Sequence, residues 1–259
     1  MPHPLIADPR AGAPPAVSVH AARLDYGGAA LFDALDFTLP AGRWTCLLGP
    51  SGVGKTTLLR LIAGLEAPVG DTRIVAGDGQ PLAGRIAWMG QQDLLLPWLS
   101  ALDNALLGSR LRGDGDPDRE RRGVAIELLI RVGLGGRLAA RPSALSGGQR
   151  QRVALVRTLM EDRPVILMDE PFSGLDSITR WKLQDLAAEL LAGRTVLLVT
   201  HDPREALRLG DTVHVMAGRP ARLDQAWELG GPTPRPLDDP ALLAREGELI
   251  RRLAAAAEA

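Results

Sequence analysis

The sequence is poor in the residues that build cross-linked extracellular proteins. It contains a single cysteine, Cys46, so no disulfide can form within the chain. This usage fits a reducing compartment.

Lysine is also scarce. The chain has only two lysines, Lys55 and Lys182, against 28 arginines.

The sequence also lacks a strong net charge and a long apolar run. Its formal net charge is −1 and its isoelectric point is near 6.4, which exclude a global basic field for nucleic acid. The longest apolar run, at residues 94–99, is far shorter than the roughly 20 residues that a membrane-spanning helix needs. We therefore expect neither a nucleic-acid partner nor a transmembrane segment.

The chain is long enough for one large α/β domain or two small ones. Residues 1–16 are rich in proline, alanine and glycine, which predicts a disordered N-terminal tail. Strand and helix patterns alternate over residues 17–230 and predict one α/β domain with a mostly parallel sheet and helices on both faces. This domain is expected to include an N-terminal antiparallel β part and an all-helical insert at about residues 94–162. Residues 231–259 are predicted to form a C-terminal extension with an amphipathic helix.

The most specific motif lies between a predicted strand and a predicted helix. Its pattern G-x-x-x-x-G-K-T is typical of a loop that surrounds phosphates with backbone N–H groups at a helix N-terminus. The residues expected around the phosphates are Gly49, Pro50, Ser51, Gly52, Val53, Gly54, Lys55, Thr56 and Thr57. Lys55 can reach the β- and γ-phosphates, and the Thr56 hydroxyl can bind Mg²⁺. The alternative is an ordinary glycine turn, but a lysine in a chain of arginines favours a compact point charge with a specific task.

A second serine-glycine loop precedes another predicted helix. Leu145 is followed by Ser146, Gly147, Gly148 and Gln149, which offer a hydroxyl, free N–H groups and a helix dipole to an anion. The chain thus has two anion-binding helix ends but one strand that ends in carboxylates of the Mg²⁺-binding type. Two copies related by a two-fold axis would let the second loop of each copy close on the nucleotide of the other.

These motifs, in this order and spacing, resemble the ATPase subunit of ABC transporters. The resemblance covers about residues 17–218 and includes 49–56, 91, 145–149, 166–170, 173–176 and 201. It implies the fold of phosphate-loop ATPases, hydrolysis of ATP with Mg²⁺, and a homodimer. ATP would lie between the phosphate loop of one copy and residues 146–149 of its partner.

The resemblance assigns roles to four polar residues. Asp169 would hold Mg²⁺ together with Thr56, and Glu170 would be the general base for attack on the γ-phosphate. Gln91 would contact Mg²⁺ and the attacking water, and His201 would contact the γ-phosphate. The alternatives are carboxylates that only cap a strand end, a solvated loop glutamine and a structural histidine.

Two further residues match the family at the edges of the site. Tyr26 corresponds to the aromatic residue that stacks on adenine. The alternative is an aromatic residue of a turn that packs on a loop. Asp176 corresponds to the residue that crosses the dimer seam. Two departures, Gly90 where the family often has phenylalanine and Gly174 where it often has alanine, are interpreted as changes of loop flexibility.

Within the family, two segments resemble importers of the nitrate, sulfonate and taurine group. These are 94–98 with the following 102–104, and 232–236. Residues 44–49 and 91–100 resemble subunits assigned to hydroxymethylpyrimidine, the thiamine precursor. The resemblance implies integral-membrane permease partners, an indirect link to a solute-binding protein, and a peripheral position on the cytoplasmic face of the inner membrane. The 94–98 segment is expected to be an exposed apolar docking face, or else core of the helical insert.

Two other kinds of protein remain open at this point. One is an ABC ATPase unconnected with transport, such as an iron–sulfur assembly ATPase, against which the Leu-Pro-Trp sequence at 96–98 argues. The other is a nucleotide-binding regulator without turnover, against which the presence of Glu170 argues.

Overall fold

The structure is a computed structural model that describes residues 13–112, 119–236 and 238–258, except for the side chain of Tyr26. It divides into two compact units. The sheet unit comprises the described residues of Ala11–Ile86, Arg163–Glu170 and Ala192–Ala259. The helical unit comprises those of Ala87–Asp162 and Pro171–Leu191.

Short strands supply most of the sheet unit. The described strands are β1 (Val17–Tyr26), β2 (Ala29–Leu39), β3 (Trp44–Leu48), β4 (Arg73–Ala76), β5 (Ile86–Met89), β6 (Val165–Asp169), β7 (Thr195–Val199), β8 (Thr212–Ala217), β9 (Arg222–Leu223) and β10 (Trp227–Glu228). The strand β5 runs across the boundary between the units.

Helices supply most of the helical unit and the C-terminal part of the sheet unit. The described α-helices are α1 (Lys55–Ile62), α2 (Ala101–Ala105), α3 (Leu107–Leu111), α4 (Arg119–Arg131), α5 (Gly147–Leu159), α6 (Ser177–Leu190), α7 (Pro203–Leu209) and α8 (Pro240–Glu258).

A parallel sheet forms the core of the sheet unit. Three of its strands, β3, β6 and β7, are buried along their whole length, as their continuous apolar sequences predict. The strand order within this unit is β10-β8-β3-β7-β6, and the four strands from β8 to β6 are mutually parallel. Their carboxyl ends therefore share one edge, where α/β proteins bind ligands. The phosphate loop, Asp169 and His201 all lie at the ends of these strands.

The same unit contains a small antiparallel sheet with the order β2-β1-β4. The buried face of β2 carries Leu35, Phe37 and Leu39, as the alternation predicts. The alternation predicts a strand at Ala34–Leu39, but the strand begins at Ala29, five residues earlier. Ala34 has a left-handed φ of 56°, and the pairing register shifts beside it, so the alternation does not continue through this point.

The helical unit confirms the helical character predicted for residues between 94 and 162, with one correction. The sequence predicts a single helix from Ser100, as the N-cap with Asp103 three residues on, to about Arg112. In the structure α2 and α3 are separate, because Leu106, which is fully buried, leaves the helical conformation. The cap is confirmed, since Ser100 Oγ accepts the Asp103 N–H at 3.0 Å.

The C-terminal helix α8 packs on α7 and β8. The sequence predicts one apolar side made of Leu242, Leu243, Leu249, Ile250 and Leu253. This is wrong in detail, because Leu242 and Leu249 are buried whereas Leu243 and Ile250 are half exposed. No helix in the described parts of the chain is long and apolar enough to cross a bilayer.

Most of the predicted tail, residues 1–12, lies outside the described residues. The Pro15 and Ala16 carbonyls accept hydrogen bonds from Thr195 Oγ1 and the Gly77 N–H, each at 2.8 Å. The domain boundaries at residues 16 and 230 stay predictions.

Candidate functional site

The phosphate loop connects β3 to α1 and depends on its glycines. Gly49, Gly52 and Gly54 have φ angles of 147°, 78° and 113°. A Cβ on Gly49 would lie 2.3 Å from the Met216 carbonyl oxygen, and one on Gly54 would lie 2.9 Å from the Phe32 ring. Only glycine combines these φ angles with such close approach. The loop is thus held in a conformation that presents its backbone N–H groups at the start of a helix.

Lys55 is the buried cation of this loop. Its Nζ donates to the Gly49 and Pro50 carbonyls at 2.7 and 2.9 Å. Burial lowers the pKa of Lys55, and the charges of Glu170 and Asp169 oppose that effect. The ammonium is therefore pinned inside the loop, next to the place that the motif assigns to phosphates.

Thr56 and Asp169 form the oxygen pair expected of a Mg²⁺ site. Thr56 Oγ1 donates to Asp169 Oδ2 at 2.7 Å, and Asp169 is 2% exposed. Burial raises the pKa of Asp169, and the Thr56 hydrogen bond partly offsets this effect. The described residues contain no cluster of three histidine, cysteine or acidic side chains that would bind a metal unaided. A hydroxyl, one carboxylate and substrate phosphates are nevertheless an ordinary Mg²⁺ environment, so these residues fit the ion.

Glu170 and His201 form a second polar pair beside the first. His201 Nδ1 lies 3.2 Å from Glu170 Oε1, and the histidine side chain is 67% exposed. Glu170 has a φ of 49°, a strained conformation for a side chain of this size. Its N–H donates to the Val199 carbonyl at 2.9 Å, which ties this strained residue to the end of β7. Strain held in place by a neighbouring strand is a common feature of reacting sites.

A cavity of about 330 Å³ opens at the N-terminus of α1. Its polar wall comes from Lys55, Thr56 and Thr57, and its apolar wall from the first residues of β2. Arg219 also lines it. Sequence reasoning missed this arginine, since a solvated arginine in a Gly-Arg-Pro turn has no feature that marks it as part of a site.

Tyr26, the predicted adenine-stacking residue, is the last residue of β1. Its side chain lies outside what the structure describes. Its role stays a prediction.

The second anion loop belongs to the helical unit, at the N-terminus of α5. Ser146 Oγ accepts the Gln149 N–H at 3.3 Å, while Gln149 Oε1 accepts the Ser146 N–H at 2.8 Å. This reciprocal pair is a capping box. Ser146 and Gly147 are exposed, Gly148 and Gln149 are half-buried, and neither glycine has a left-handed φ angle. Its side chains are therefore engaged with their own helix in the single chain.

Gln91 and Asp176 are the other predicted site residues of the helical unit, and both are exposed. Asp176 caps α6, where Oδ1 accepts the Thr179 N–H at 3.0 Å; this bond lowers the pKa of Asp176. The structure explains the glycine before Gln91, because a Cβ on Gly90 would lie 2.8 Å from the Trp88 ring. Close packing of that ring, besides any effect on flexibility, favours glycine here.

The predicted apolar docking segment, residues 94–98, is only partly exposed. Leu94 and Trp98 are 52% and 65% exposed, whereas Leu95 is buried. The Asn104 side chain, itself fully buried, accepts the Leu96 N–H at 2.8 Å and donates to the Leu96 carbonyl at 3.2 Å. The expectation of a wholly exposed segment is therefore corrected to an outward leucine and tryptophan on a loop that Asn104 holds.

Two arginines of α5 hold the start of the same segment. Arg150 Nε donates to Asp93 Oδ2 at 2.9 Å, and Arg157 donates to the Asp93 and Leu94 carbonyls at 2.8 Å. The sequence pattern did not reveal these contacts, because about 60 residues separate the partners.

Three features at the ends of the parallel strands define a phosphate-loop ATPase. They are the glycine loop with its buried lysine, the Thr–Asp oxygen pair and the strained glutamate. Comparison with known proteins gives the family. The family model described as "ABC transporter" matches residues 32–173, which are more than half of the chain. The chain belongs to the ABC transporter family as an ATP-binding, ATP-hydrolysing member, with Mg²⁺ as the usual associated ion.

Named relatives cover most of the chain. An aliphatic sulfonates import ATP-binding protein of Pseudomonas syringae pv. syringae is 42% identical over 88% of this chain and 92% of its own length. A second protein with this name, from Rhodococcus jostii, is 47% identical over 83% of this chain and 84% of its own. An uncharacterized ABC transporter ATP-binding protein of Haemophilus influenzae is 49% identical over 74% of this chain and 78% of its own.

Solved structures agree with the fold. An ATP-binding cassette in a dimeric post-hydrolysis state, bound to ADP and Pi, has a TM-score of 0.72 and 30% identity. It covers 83% of this chain and 99% of its own length. The predicted fold class and enzyme class are confirmed.

Proposed function

We propose that this chain is the ATP-hydrolysing subunit of an importer for small organic anions of the aliphatic sulfonate type. The single observation that carries this proposal is the name and coverage of its relatives, since sulfonate-import ATPases align over more than four fifths of the chain. The cargo does not contact an ATPase subunit in this scheme. The permease and the solute-binding protein recognise it.

The geometry supports a hydrolytic role for Glu170. A glutamate beside the Thr56–Asp169 pair is placed to accept a proton from the water that attacks the γ-phosphate. His201 stands 3.2 Å from this carboxylate and would orient it and contact the γ-phosphate. Mg²⁺ bound at Thr56 and Asp169 would neutralise developing phosphate charge. Gln91 is proposed to contact the ion and the water.

The second anion loop supports a dimer. Ser146 and Gln149 cap their own helix, and Ser146 and Gly147 are exposed at its N-terminus, where the dipole of α5 would favour phosphates. In the proposed dimer, residues 146–149 of one copy close on the ATP of the other, and Asp176 lies at the seam. The dimeric state of the structural neighbours favours this arrangement.

The partner surface is proposed to include Leu94 and Trp98. Both side chains are exposed although apolar, and the loop that bears them is held by Asn104, Arg150 and Arg157. An apolar surface on a supported loop suits docking to a permease. The chain would then lie on the cytoplasmic face of the inner membrane as a peripheral subunit.

The dimer mechanism is tested with Glu170→Gln. This change keeps the size of the side chain but removes the base, so we expect turnover to fall about 100-fold or more. ATP binding should persist, and light scattering should show an ATP-dependent dimer. Normal turnover in the variant would remove Glu170 from its role, and a monomer at saturating ATP would argue against the dimer.

The cargo is tested by reconstitution with a permease and a solute-binding protein whose genes neighbour that of this chain. We expect ethanesulfonate or a similar sulfonate to stimulate the ATPase and enter the vesicles. Stimulation by hydroxymethylpyrimidine instead would favour the thiamine-precursor group, which residues 44–49 and 91–100 resemble. If no permease binds the chain, an ATPase outside transport, such as one for iron–sulfur assembly, becomes the better explanation.

A further inference from the structure

The turn after β8 brings a second cation to the nucleotide cavity. Arg219 lines the same cavity as Lys55, Thr56 and Thr57. Unlike Lys55 it is exposed, and it forms no hydrogen bond or ion pair with a described side chain. An unengaged guanidinium in the wall of a phosphate-binding cavity is available to an anionic ligand.

The protein holds this turn on both sides of the cavity. The Ala221 N–H donates to the Leu31 carbonyl at 2.8 Å, and Leu31 belongs to the apolar wall. On the other side, β8 pairs with β9 through Met216 and Leu223. The Met216 carbonyl lies where a Cβ on Gly49 would approach to 2.3 Å. The backbone that carries Arg219 is therefore fixed against both β2 and the phosphate loop.

The lining of the cavity indicates which end of the nucleotide faces Arg219. Asp169, Glu170 and His201, the residues of the hydrolytic end, do not line it. Thr57 and the first residues of β2 do. Arg219 thus shares the cavity with Thr57 and the first residues of β2, and not with the three residues of the hydrolytic end.

We propose that Arg219 is a nucleotide-binding residue that contacts the α-phosphate and ribose end of ATP, the end that ADP shares. Lys55 then serves the β- and γ-phosphates from inside the loop, and Arg219 serves the remainder of the nucleotide from the wall. Because the contact is the same before and after hydrolysis, Arg219 contributes to affinity and not to the chemical step.

The test compares Arg219→Ala and Arg219→Lys with Arg222→Ala in the full chain. Arg222 is exposed on the same hairpin but lines a different cavity, with Asp224 and Arg252, so it is a matched control. Isothermal titration with MgATP and MgADP gives the Kd of each, and steady-state assays give KM and kcat. Thermal unfolding without nucleotide reports on folding.

We expect Arg219→Ala to weaken MgATP and MgADP alike, by about 5- to 20-fold, which is near the low end for one charge-assisted hydrogen bond because the Arg219 side chain is exposed. KM should rise while kcat stays within about two-fold. Arg219→Lys should recover part of the affinity, and Arg222→Ala should bind as the unaltered protein does. The thermal midpoint should not change in any of the three.

Three results would overturn the proposal. Unchanged affinity in Arg219→Ala is one, and an equal loss in Arg222→Ala is another, because it would show a general charge effect. A loss confined to MgATP is the third, since it would place the guanidinium at the γ-phosphate. If Arg219→Ala proves unstable, Arg219→Gln keeps a polar side chain of similar length and carries the same expectations.

Discussion

The two anion loops share one plan, a glycine-containing turn at a helix N-terminus, and differ in what completes them. The loop before α1 has glycines at left-handed φ angles, close backbone packing and a buried lysine. The loop before α5 has neither left-handed glycines nor a buried cation, and Ser146 and Gln149 satisfy each other. The first loop is thus preorganised within a single chain, whereas the second caps its own helix, with Ser146 and Gly147 exposed. This difference is what we expect if the second loop acts on a nucleotide that another copy holds.

Removing the cation of the first loop gives the largest expected effect. Lys55→Ala should weaken MgATP binding by about 10- to 100-fold or more, because several charge-assisted contacts to phosphate are lost together. Titration calorimetry measures the change. Lys182→Ala, the other lysine and an exposed one, is the control and should bind normally. Unchanged nucleotide affinity in Lys55→Ala would contradict the assignment of this loop.

Adding a methyl group to each loop separates the two. Gly54→Ala should lower the free energy of unfolding by roughly 1–3 kcal/mol, since the residue has a φ of 113° and the Phe32 ring lies 2.9 Å from the new Cβ. Gly147→Ala should leave stability unchanged, because its new Cβ would find only the Arg150 guanidinium, at 3.9 Å. Denaturant unfolding measures both.

Gly147→Ala also tests the proposed function of the second loop. Gly147→Ala should still bind ATP as a monomer but lose ATP-dependent dimerisation and most of its turnover, about 10-fold or more, because the added methyl would keep the loop from closing on the phosphates of the partner's nucleotide. A fully active Gly147→Ala protein would mean that the second loop does not close on a nucleotide.

The smallest expected effect concerns the pH dependence of stability. Burial raises the pKa of Asp169 in the folded protein, so its stabilising contribution is present below the unfolded pKa and lost as pH rises through the folded pKa. Asp169→Asn should therefore raise the thermal midpoint slightly at neutral pH without Mg²⁺, with a gain that shrinks on acidification. Asn can still accept the Thr56 hydrogen bond, whereas Mg²⁺-dependent hydrolysis should be lost.

Asp78 provides the contrasting control for this pH experiment. Hydrogen bonds from Arg85 lower the pKa of this surface carboxylate to about 2. Its contribution is present above the unfolded pKa and lost as pH falls. Asp78→Asn should not raise the midpoint at neutral pH, and a gain equal to that of Asp169→Asn would show that burial is not the cause.

Local patterns predicted the elements of the fold well where one force dominates. The continuous apolar runs that became β3, β6 and β7 were predicted as buried strands, because burial on both faces requires such sequences. The helix after Ser100 was predicted as one piece, since nothing in its residues marks Leu106 as a break. The burial of Leu106 is a tertiary effect that the local sequence does not encode.

The candidate site divides in the same way. Lys55 and Thr56 were predicted from the loop motif, and Asp169, Glu170 and His201 from the resemblance to ABC ATPases. The structure places all five at one edge of the parallel sheet. Arg219 was not predicted, because its position depends on the turn after β8 meeting β2. The same holds for Asn104 and Arg157, whose hydrogen bonds hold residues 93–96.

The sequence by itself determined the phosphate-binding chemistry, because glycine spacing, one lysine and carboxylates at a strand end are local features whose chemistry does not depend on distant residues. Only the tertiary structure decided which side chains stand beside them. Strands and turns that are far apart in the chain produce the Glu170–His201 pair and the left-handed φ of Glu170. They also bring Arg219 to the nucleotide cavity. Contacts of this kind depend on strand order and packing, which no local pattern encodes.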